Sequence, residues 1–204
     1  MLPPSSTPTR WTIFASSKAA VAERCTARIR RLEPADLGAY KLLRDEALRR
    51  HPEAFTSDHE SEQGRSPESY IGRLGRGDPL GGSFLLGAFD ADGNGGEKLV
   101  GSVGLERETR AKTRHIAWLI AMMVQPGCTR RGIGSALVAG CIAEARAASG
   151  LQMIVLSVTA SSTEVVQLYE RAGFTRYGVL PRAVRIVEGR RERYFDKAQM
   201  LLTL

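Results

Sequence analysis

The chain has 204 residues, 43% of them hydrophobic and 25% charged, which suits one soluble globular domain and gives no reason to expect a second. Its longest apolar stretch, residues 116–124, is only as long as a strand, so we expect no membrane-spanning helix and no membrane partner. The formal net charge of +7 favours an anionic partner, either nucleic acid or a phosphate-rich small molecule, although a basic surface without a specific partner has the same charge. The basic clusters are not interleaved with aromatic residues, which argues against nucleic acid.

The cysteine and histidine patterns indicate neither disulfides nor a metal. Cys25, Cys128 and Cys141 are odd in number and widely spaced, unlike a disulfide framework. No Cys-x-x-Cys pair occurs, and the histidines show no metal-ligand spacing. We therefore predict a reducing, cytoplasmic environment and no metal cofactor.

The first 27 residues differ in composition from the rest of the chain. They are rich in Ser, Thr and Pro, contain one acid, Glu23, and lack a convincing apolar core of a secretion signal. This composition predicts a disordered N-terminal extension or an upstream start codon, with an organelle transit peptide as the alternative. Residues 28–204 are predicted to form the folded domain.

In chain order, the sequence of the first half of that domain indicates a strand over residues 27–32, followed by two helices. Pro34 suits a first helical turn, His51-Pro52 ends this first helix, and Ser66-Pro67 begins a second, short helix that runs to about Leu74. Residues 83–89 and 98–107 then read as strands on either side of a turn-rich segment, which is typical of a hairpin.

The second half predicts alternating strands and helices. Residues 115–124 are apolar along nearly their whole length, so this strand is expected to be buried on both faces. A helix containing Cys141 follows, then a strand over residues 153–158. Ser161 and Glu164 are spaced as a capping box for a further helix that stops at Gly173, before strands at 174–179 and 193–204. The fold class is therefore α/β (α+β), with a partly parallel sheet.

The strongest chemical signal is the segment between residues 124 and 135, which leaves a buried strand, turns tightly and opens a helix. Glycines there let backbone N–H groups approach an anion, and the helix N-terminus adds a favourable field. A pyrophosphate suits such a site, with Arg130 and Arg131 close by; a plain glycine turn is the alternative. The segment is not a dinucleotide fingerprint, because Leu137 replaces the third glycine, and no Gly-Lys-Ser/Thr of a P-loop follows.

Two runs resemble motifs of the GNAT superfamily of N-acetyltransferases. Thr129-Arg130-Arg131-Gly132-Ile133-Gly134 is similar to the family's acyl-CoA pyrophosphate loop, Gln/Arg-x-x-Gly-x-Gly/Ala, with threonine at the opening position. Residues 162–174 resemble Asn-x-x-Ala-x-x-Leu-Tyr-x-x-x-Gly-Phe, with Ser162 in place of asparagine. The resemblance extends over residues 27–204.

The resemblance implies the GNAT fold, a central mixed sheet of six to seven strands flanked by about four helices. It implies direct transfer of an acetyl group from acetyl-CoA to a primary amine within a ternary complex. The acceptor would be a small-molecule amine or a peptide or protein N-terminus, and the chain would form a homodimer, as many relatives do. Nucleic acid is not expected as a partner.

The same resemblance assigns roles to residues. Tyr169 would be the general acid that protonates the departing thiolate, and a backbone N–H near Met123 or Val124 would polarise the thioester carbonyl. The cofactor-binding set also includes the loop and the next helix start: Thr129, Arg130, Arg131, Gly132, Ile133, Gly134, Ser135 and Ser162.

The sequence does not determine which group is the general base. Several relatives carry a glutamate where this chain has Trp118. Glu106 is the leading candidate, with Glu108, His115, solvent water or no dedicated base as alternatives.

Two other functions remain to be weighed: a non-catalytic acyl-CoA-binding module, and a basic nucleic-acid binder. The acceptor groove is expected between residues 51–73 and 180–194, where Glu53, Glu60 and Glu62 would attract a cationic amine if they do not simply face solvent.

Overall fold

A computed structural model describes residues 27–93 and 95–204, so all but the last residue of the predicted N-terminal extension lies outside the described residues. The described part forms a seven-stranded mixed sheet in the order β1-β2-β3-β4-β5-β7-β6. Its strands are β1 Arg28–Arg31, β2 Phe84–Ala91, β3 Glu97–Arg107, β4 Ile116–Val124, β5 Met153–Thr159, β6 Thr175–Glu188 and β7 Arg191–Thr203.

Four α-helices flank this sheet: α1 Leu37–Arg50, α2 His59–Gln63, α3 Ile133–Ala147 and α4 Thr163–Arg171. Short 3₁₀ helices at Pro34–Asp36, Pro52–Ala54, Pro67–Leu74 and Pro126–Cys128 connect the elements. The predicted fold class and sheet are confirmed. The predicted second helix is the 3₁₀ helix Pro67–Leu74, and α2 was not predicted.

Each face of the sheet carries its own hydrophobic core. The core around α3 contains Leu137, Cys141 and Tyr169, and the core around α1 contains Tyr40 and Tyr70. Because α3 and α1 lie on opposite faces, a ligand site that uses residues from both must open through the sheet. Within the described residues, one strand pair is seen to open in this way.

That opening lies between β4 and β5, the one parallel pair of the sheet among the described residues. The two strands pair only from Ile116 to Trp118 on β4, although β4 runs on to Val124. On its other side β4 has a bulge: the register shifts between Ser102 and Gly104 of β3, and Ala121 takes a φ of 52°. A bulge bends its strand and increases the local twist, which accounts for the divergence of β4 from β5.

The expectation that residues 115–124 are buried on both faces is therefore wrong. Trp118 is exposed, and Ile120, Ala121 and Met122 are only partly buried. An apolar strand is buried on both faces only where other elements pack over both faces, and Trp118, Ile120, Ala121 and Met122 instead line an open cleft. Here β5 has already turned away.

Two local predictions also need correction. The N-cap of α4 is Ser162, not Ser161, and its side chain makes no capping hydrogen bond. The last two strands form a hairpin much longer than predicted, because β6 continues to Glu188 through an irregularity between Leu180 and Val184. Pro181 at that irregularity obscures the strand pattern in the sequence.

A buried ionic cluster fixes α2 and the 3₁₀ helix Pro67–Leu74 to α1. Glu62 accepts hydrogen bonds from Arg44 Nε at 2.9 Å, Tyr70 Oη at 2.7 Å and Arg65 Nη1 at 3.0 Å. Burial opposes ionisation of Glu62, but the hydrogen bonds from Tyr70 and Arg44 outweigh it and lower the pKa of Glu62 to about 2. The cluster therefore holds these two short helices against α1, which itself contacts β4.

We predict that Glu62→Gln destabilises the fold by about 3–5 kcal/mol near neutral pH, because Arg44 loses its buried counter-charge. A carboxyl whose folded pKa is depressed stabilises above its unfolded pKa, near 4.5 here, and this contribution is lost as the pH falls toward 2. Denaturant unfolding from pH 7 to pH 2 should therefore show the gap between wild type and variant closing. The exposed neighbour Glu60→Gln should show no such gap, and a pH-independent loss in Glu62→Gln would contradict the assignment.

Candidate active site

The divergence of β4 and β5 opens a cleft of about 560 Å³. Its walls come from both faces of the sheet: α1 and the 3₁₀ helix Pro52–Ala54 on one side, and α4 on the other. Five of the predicted site residues line it, namely Glu106, Met123, Val124, Ser162 and Tyr169.

The β4 bulge is held in place by a buried hydroxyl. Ser102 is fully buried, and its Oγ donates to the carbonyl of Ala121 at 3.0 Å. Beyond the bulge, the Gln125 amide donates to Val100 at 2.8 Å. Because successive residues of a strand direct their amides to opposite sides, the Val124 amide points away from β3 into the cleft, whereas the Met123 amide points toward β3.

Tyr169 reaches the cleft from α4. It is 4% exposed and packs edge-on against Phe174, with ring centroids 5.6 Å apart. Its hydroxyl has no hydrogen-bond partner among the described residues, yet Tyr169 lines the cleft. Burial raises the pKa of Tyr169 well above its ordinary value, so the hydroxyl keeps its proton at neutral pH.

The loop before α3 presents unused amides. The first helical bond runs from the Ala136 amide to Gly132 O at 3.0 Å, and the amides of Gly132, Ile133, Gly134 and Ser135 donate to no backbone carbonyl within the described residues. Gly132 adopts a left-handed φ of 78° that favours glycine. A Cβ at Gly134 would come within 3.3 Å of Met122 and 3.4 Å of Leu168, so glycine lets β4, α3 and α4 converge.

The side chains of this loop are largely committed elsewhere. Thr129 Oγ1 donates to Pro126 O at 3.1 Å, and Ile133 is buried in the core. Arg131 pairs with Asp90 of β2 at 2.6 Å, and Arg130 lies 3.6 Å from Glu164. Ser135 lies on a separate groove between α3 and α4. The loop therefore offers backbone rather than side-chain donors.

Of the candidate bases, the structure brings only Glu106 to the cleft. Glu106 is exposed and pairs across the strands with Trp118, so both side chains lie on the α1 face. Glu108 accepts a hydrogen bond from Trp118 Nε1 at 2.9 Å, and His115 precedes β4 outside the cleft. Glu62, predicted as an acceptor contact, lies in the buried ionic cluster instead.

Sequence reasoning missed Lys197, which lies on β7 and lines the cleft. It is 3% exposed, and its Nζ donates to Glu53 O at 3.1 Å, Ala54 O at 2.8 Å and Thr159 Oγ1 at 2.9 Å. Burial lowers the pKa of Lys197. All three ammonium protons are thus used to hold the 3₁₀ helix Pro52–Ala54 against β5 and β7. The sequence gives no distinct signal for this role, because Lys197 follows Asp196 in a partly polar segment of the strand.

Comparison with known proteins identifies the chain's family. A model of the acetyltransferase (GNAT) family matches residues 40–174, which include α1, the loop before α3 and Tyr169. The chain belongs to this family. It is therefore an acetyltransferase by family, and the GNAT fold and superfamily expected from the two motifs are confirmed.

Individual relatives agree with this assignment. The mycothiol acetyltransferase of Salinispora tropica is 32% identical over 143 residues, which are 70% of this chain but only 42% of that protein. The chain thus spans about two fifths of this relative.

Solved GNAT structures share the fold. An acetyltransferase of the GNAT family from Streptococcus pneumoniae superposes with a TM-score of 0.70 at 24% identity, covering 87% of this chain and 99% of that one. A phosphinothricin acetyltransferase from Sinorhizobium meliloti, determined in complex with acetyl-CoA, has a TM-score of 0.65 at 18% identity, covering 88% and 89%.

Two features are absent from the described residues. No helix there is long and apolar enough to span a membrane. No cluster of three or more His, Cys, Asp or Glu side chains in that part of the chain is arranged to hold a metal ion.

We predict that Lys197→Met loosens the 3₁₀ helix Pro52–Ala54, because two carbonyls and one hydroxyl lose a charged donor. The expected loss of unfolding free energy is about 2–3 kcal/mol. Native-state hydrogen exchange should show faster exchange at the Ala54 amide, which bonds to His51 O at 2.9 Å. Lys112→Met, at an exposed turn, serves as the control, and unchanged exchange at Ala54 in Lys197→Met would disprove the role.

Proposed function

We propose that this protein transfers the acetyl group of acetyl-CoA directly to a primary amine within a ternary complex. The observation that supports the proposal best is a cleft through the sheet that is lined by Ser162 and Tyr169 of α4 and by Met122 of β4, with the start of α3 packed against Met122 at Gly134. The unused amides at the N-terminus of α3 therefore lie next to a lining residue of the cleft. Family membership and the acetyl-CoA complex of a structural neighbour support acetyl-CoA as the co-substrate.

The loop residues fit a diphosphate. The amides of Gly132, Ile133, Gly134 and Ser135 lack backbone acceptors within the described residues, and a helix N-terminus favours an anion through its dipole. Arg130 is exposed beside the loop, whereas Arg131 is held by Asp90. We therefore assign the binding of the diphosphate mainly to backbone, with Arg130 as the nearest exposed charge and Thr129 and Ser162 as flanking polar groups.

Acetyl-CoA, when bound, supplies an activated thioester. We propose that the Val124 amide donates a hydrogen bond to the thioester carbonyl, a role that the strand geometry favours for Val124 over Met123. An unpaired amide at this place costs no reorganisation when charge develops on the oxygen. Divergence of β4 from β5 is what leaves it unpaired.

We propose Tyr169 as the general acid and Glu106 as the group that accepts a proton from the amine. A hydroxyl whose pKa is raised by burial stays protonated and is suited to donating its proton to a departing thiolate. Glu106 is exposed, so it would act at the acceptor side or through water. We propose small amines or peptide N-termini as acceptors in the open groove.

Three further expectations stay predictions: the cytoplasmic location, the homodimer and the single domain over residues 28–204.

The donor site is tested by replacing glycine in the loop. Gly132→Val forces a β-branched residue into a left-handed conformation, which should displace the amides and weaken acetyl-CoA binding at least about tenfold in calorimetry. Gly127→Val is the matched control, because no atom lies within 4 Å of a Cβ there. Wild-type protein that shows neither binding heat nor thermal protection with millimolar acetyl-CoA would overturn the donor assignment.

The general acid is tested by Tyr169→Phe, which keeps the ring and its packing. Acetyl-CoA affinity should be unchanged, and kcat should fall by roughly 10²- to 10⁴-fold, because the thiolate loses its proton donor. Coenzyme A thiol release with a panel of amines measures this. Full turnover in the variant would exclude Tyr169 as the acid.

The same measurements separate the enzyme from its alternatives. Tight acetyl-CoA binding without acetylation of any amine would favour a non-catalytic acyl-CoA-binding module. Steeply salt-dependent DNA affinity that persists with saturating coenzyme A would favour a nucleic-acid binder.

A further inference from the structure

Three arginines cluster around Tyr70 on the α1 face of the sheet, and two of them, Arg44 and Arg73, line the cleft. The guanidinium groups of Arg44, Arg65 and Arg73 surround the Tyr70 ring, at 5.8, 5.2 and 5.6 Å from its centroid. One carboxylate, Glu62, serves both Arg44 and Arg65. The cluster therefore holds three guanidinium groups but one carboxylate, which pairs with two of them.

Arg73 is the member of this group without a counter-ion. Its Nη1 donates to the Tyr40 hydroxyl at 3.1 Å, and no carboxylate lies within ion-pair distance of it in the described part of the chain. Arg73 is half-buried and, with Arg44, lines the cleft. A partly desolvated guanidinium has a fixed planar set of donors that matches a carboxylate.

The position of the Arg73 guanidinium indicates which of the two substrates it contacts. Arg73 belongs to the 3₁₀ helix Pro67–Leu74, which packs with α1 on the sheet face opposite α3. The amides proposed for the diphosphate lie at the N-terminus of α3, on the other face. Arg73 is therefore placed for the acceptor rather than for the phosphates of acetyl-CoA.

The cleft also carries the opposite charge. Glu106 lines the cleft from β3, and no cation pairs with it among the described residues. A cationic amine drawn toward Glu106 and an anionic group drawn toward Arg73 fit one molecule that has both charges. A simple alkylamine would leave Arg73 unsatisfied.

We infer that the acceptor carries a carboxylate in addition to its primary amine, and that Arg73 binds this carboxylate. The inference rests on the proposed function, since it concerns the acceptor of the same transfer. It makes Arg73 a residue that determines specificity.

The test compares amino acids with their amides. Purified full-length protein is given acetyl-CoA and the common L-amino acids, β-alanine, 4-aminobutyrate and glycyl dipeptides, each beside its carboxamide, and release of coenzyme A thiol is followed. For the preferred acceptor, kcat/KM of the acid should exceed that of the amide roughly 10- to 100-fold. The ratio is internal to each preparation, so a partly folded sample does not change it.

Arg73→Gln should abolish this ratio by lowering kcat/KM for the acid while leaving the amide unchanged. Arg76→Gln, exposed three residues along the chain, should keep the wild-type ratio. An Arg73 that only supports the packing of Tyr40 and Tyr70 would lower both substrates equally, and that result would overturn the inference.

The remaining outcomes separate the inference from the proposed function. Amides and plain amines acetylated as well as acids by the wild type would refute the inference and leave N-acetyl transfer standing. Bound acetyl-CoA with no thiol release from any amine would refute the proposed function, and the inference with it.

Discussion

The bulge in β4 is the constraint on which the rest of this structure depends. Ser102 is buried and bonds to the Ala121 carbonyl, so the extra residue is fixed rather than free to slip. The added twist separates β4 from β5 after Trp118 and leaves one edge of β4 without a strand partner. Backbone groups on that edge need another partner, either water or a ligand, and this need supports the proposed binding site in the gap.

The gap between β4 and β5 connects the two faces of the sheet, which paired strands otherwise separate. Two hydrophobic cores lie on opposite faces of the sheet, and each holds its own helices. An acyl donor and its acceptor need different environments: one requires backbone amides and a helix N-terminus, the other a groove that admits a varied molecule. In the proposed reaction, each face of the split sheet would supply one of them, and the reacting groups would meet between β4 and β5.

Buried charged side chains hold the short helices on the α1 side of the cleft in place. Glu62 accepts hydrogen bonds from Arg44, Arg65 and Tyr70. Lys197 donates hydrogen bonds to two backbone carbonyls and one hydroxyl. Buried ions of this kind are costly to desolvate, and only complete hydrogen bonding offsets the cost. They give short segments such as Pro52–Ala54 a single position that their few apolar contacts do not provide. These hydrogen-bonded charges therefore add to the apolar core of the α1 face in positioning this side of the cleft.

The sequence by itself determined the order of the strands, the glycine loop before α3 and the helix that carries Tyr169, because these depend on local spacing and turn chemistry. It did not predict α2. Only the tertiary structure decided the rest. The bulge at Ala121 depends on a hydroxyl 19 residues away, and Lys197 lies 144 residues from the carbonyl of Glu53. The sequence left Glu62 open between an acceptor contact and a solvent-facing acid, and only the packing of α2 against α1 brings Arg44 to it. The cap of α4 is Ser162 rather than the predicted Ser161. Contacts between residues distant in sequence leave no periodic signal, so their partners can be known only after the chain has folded.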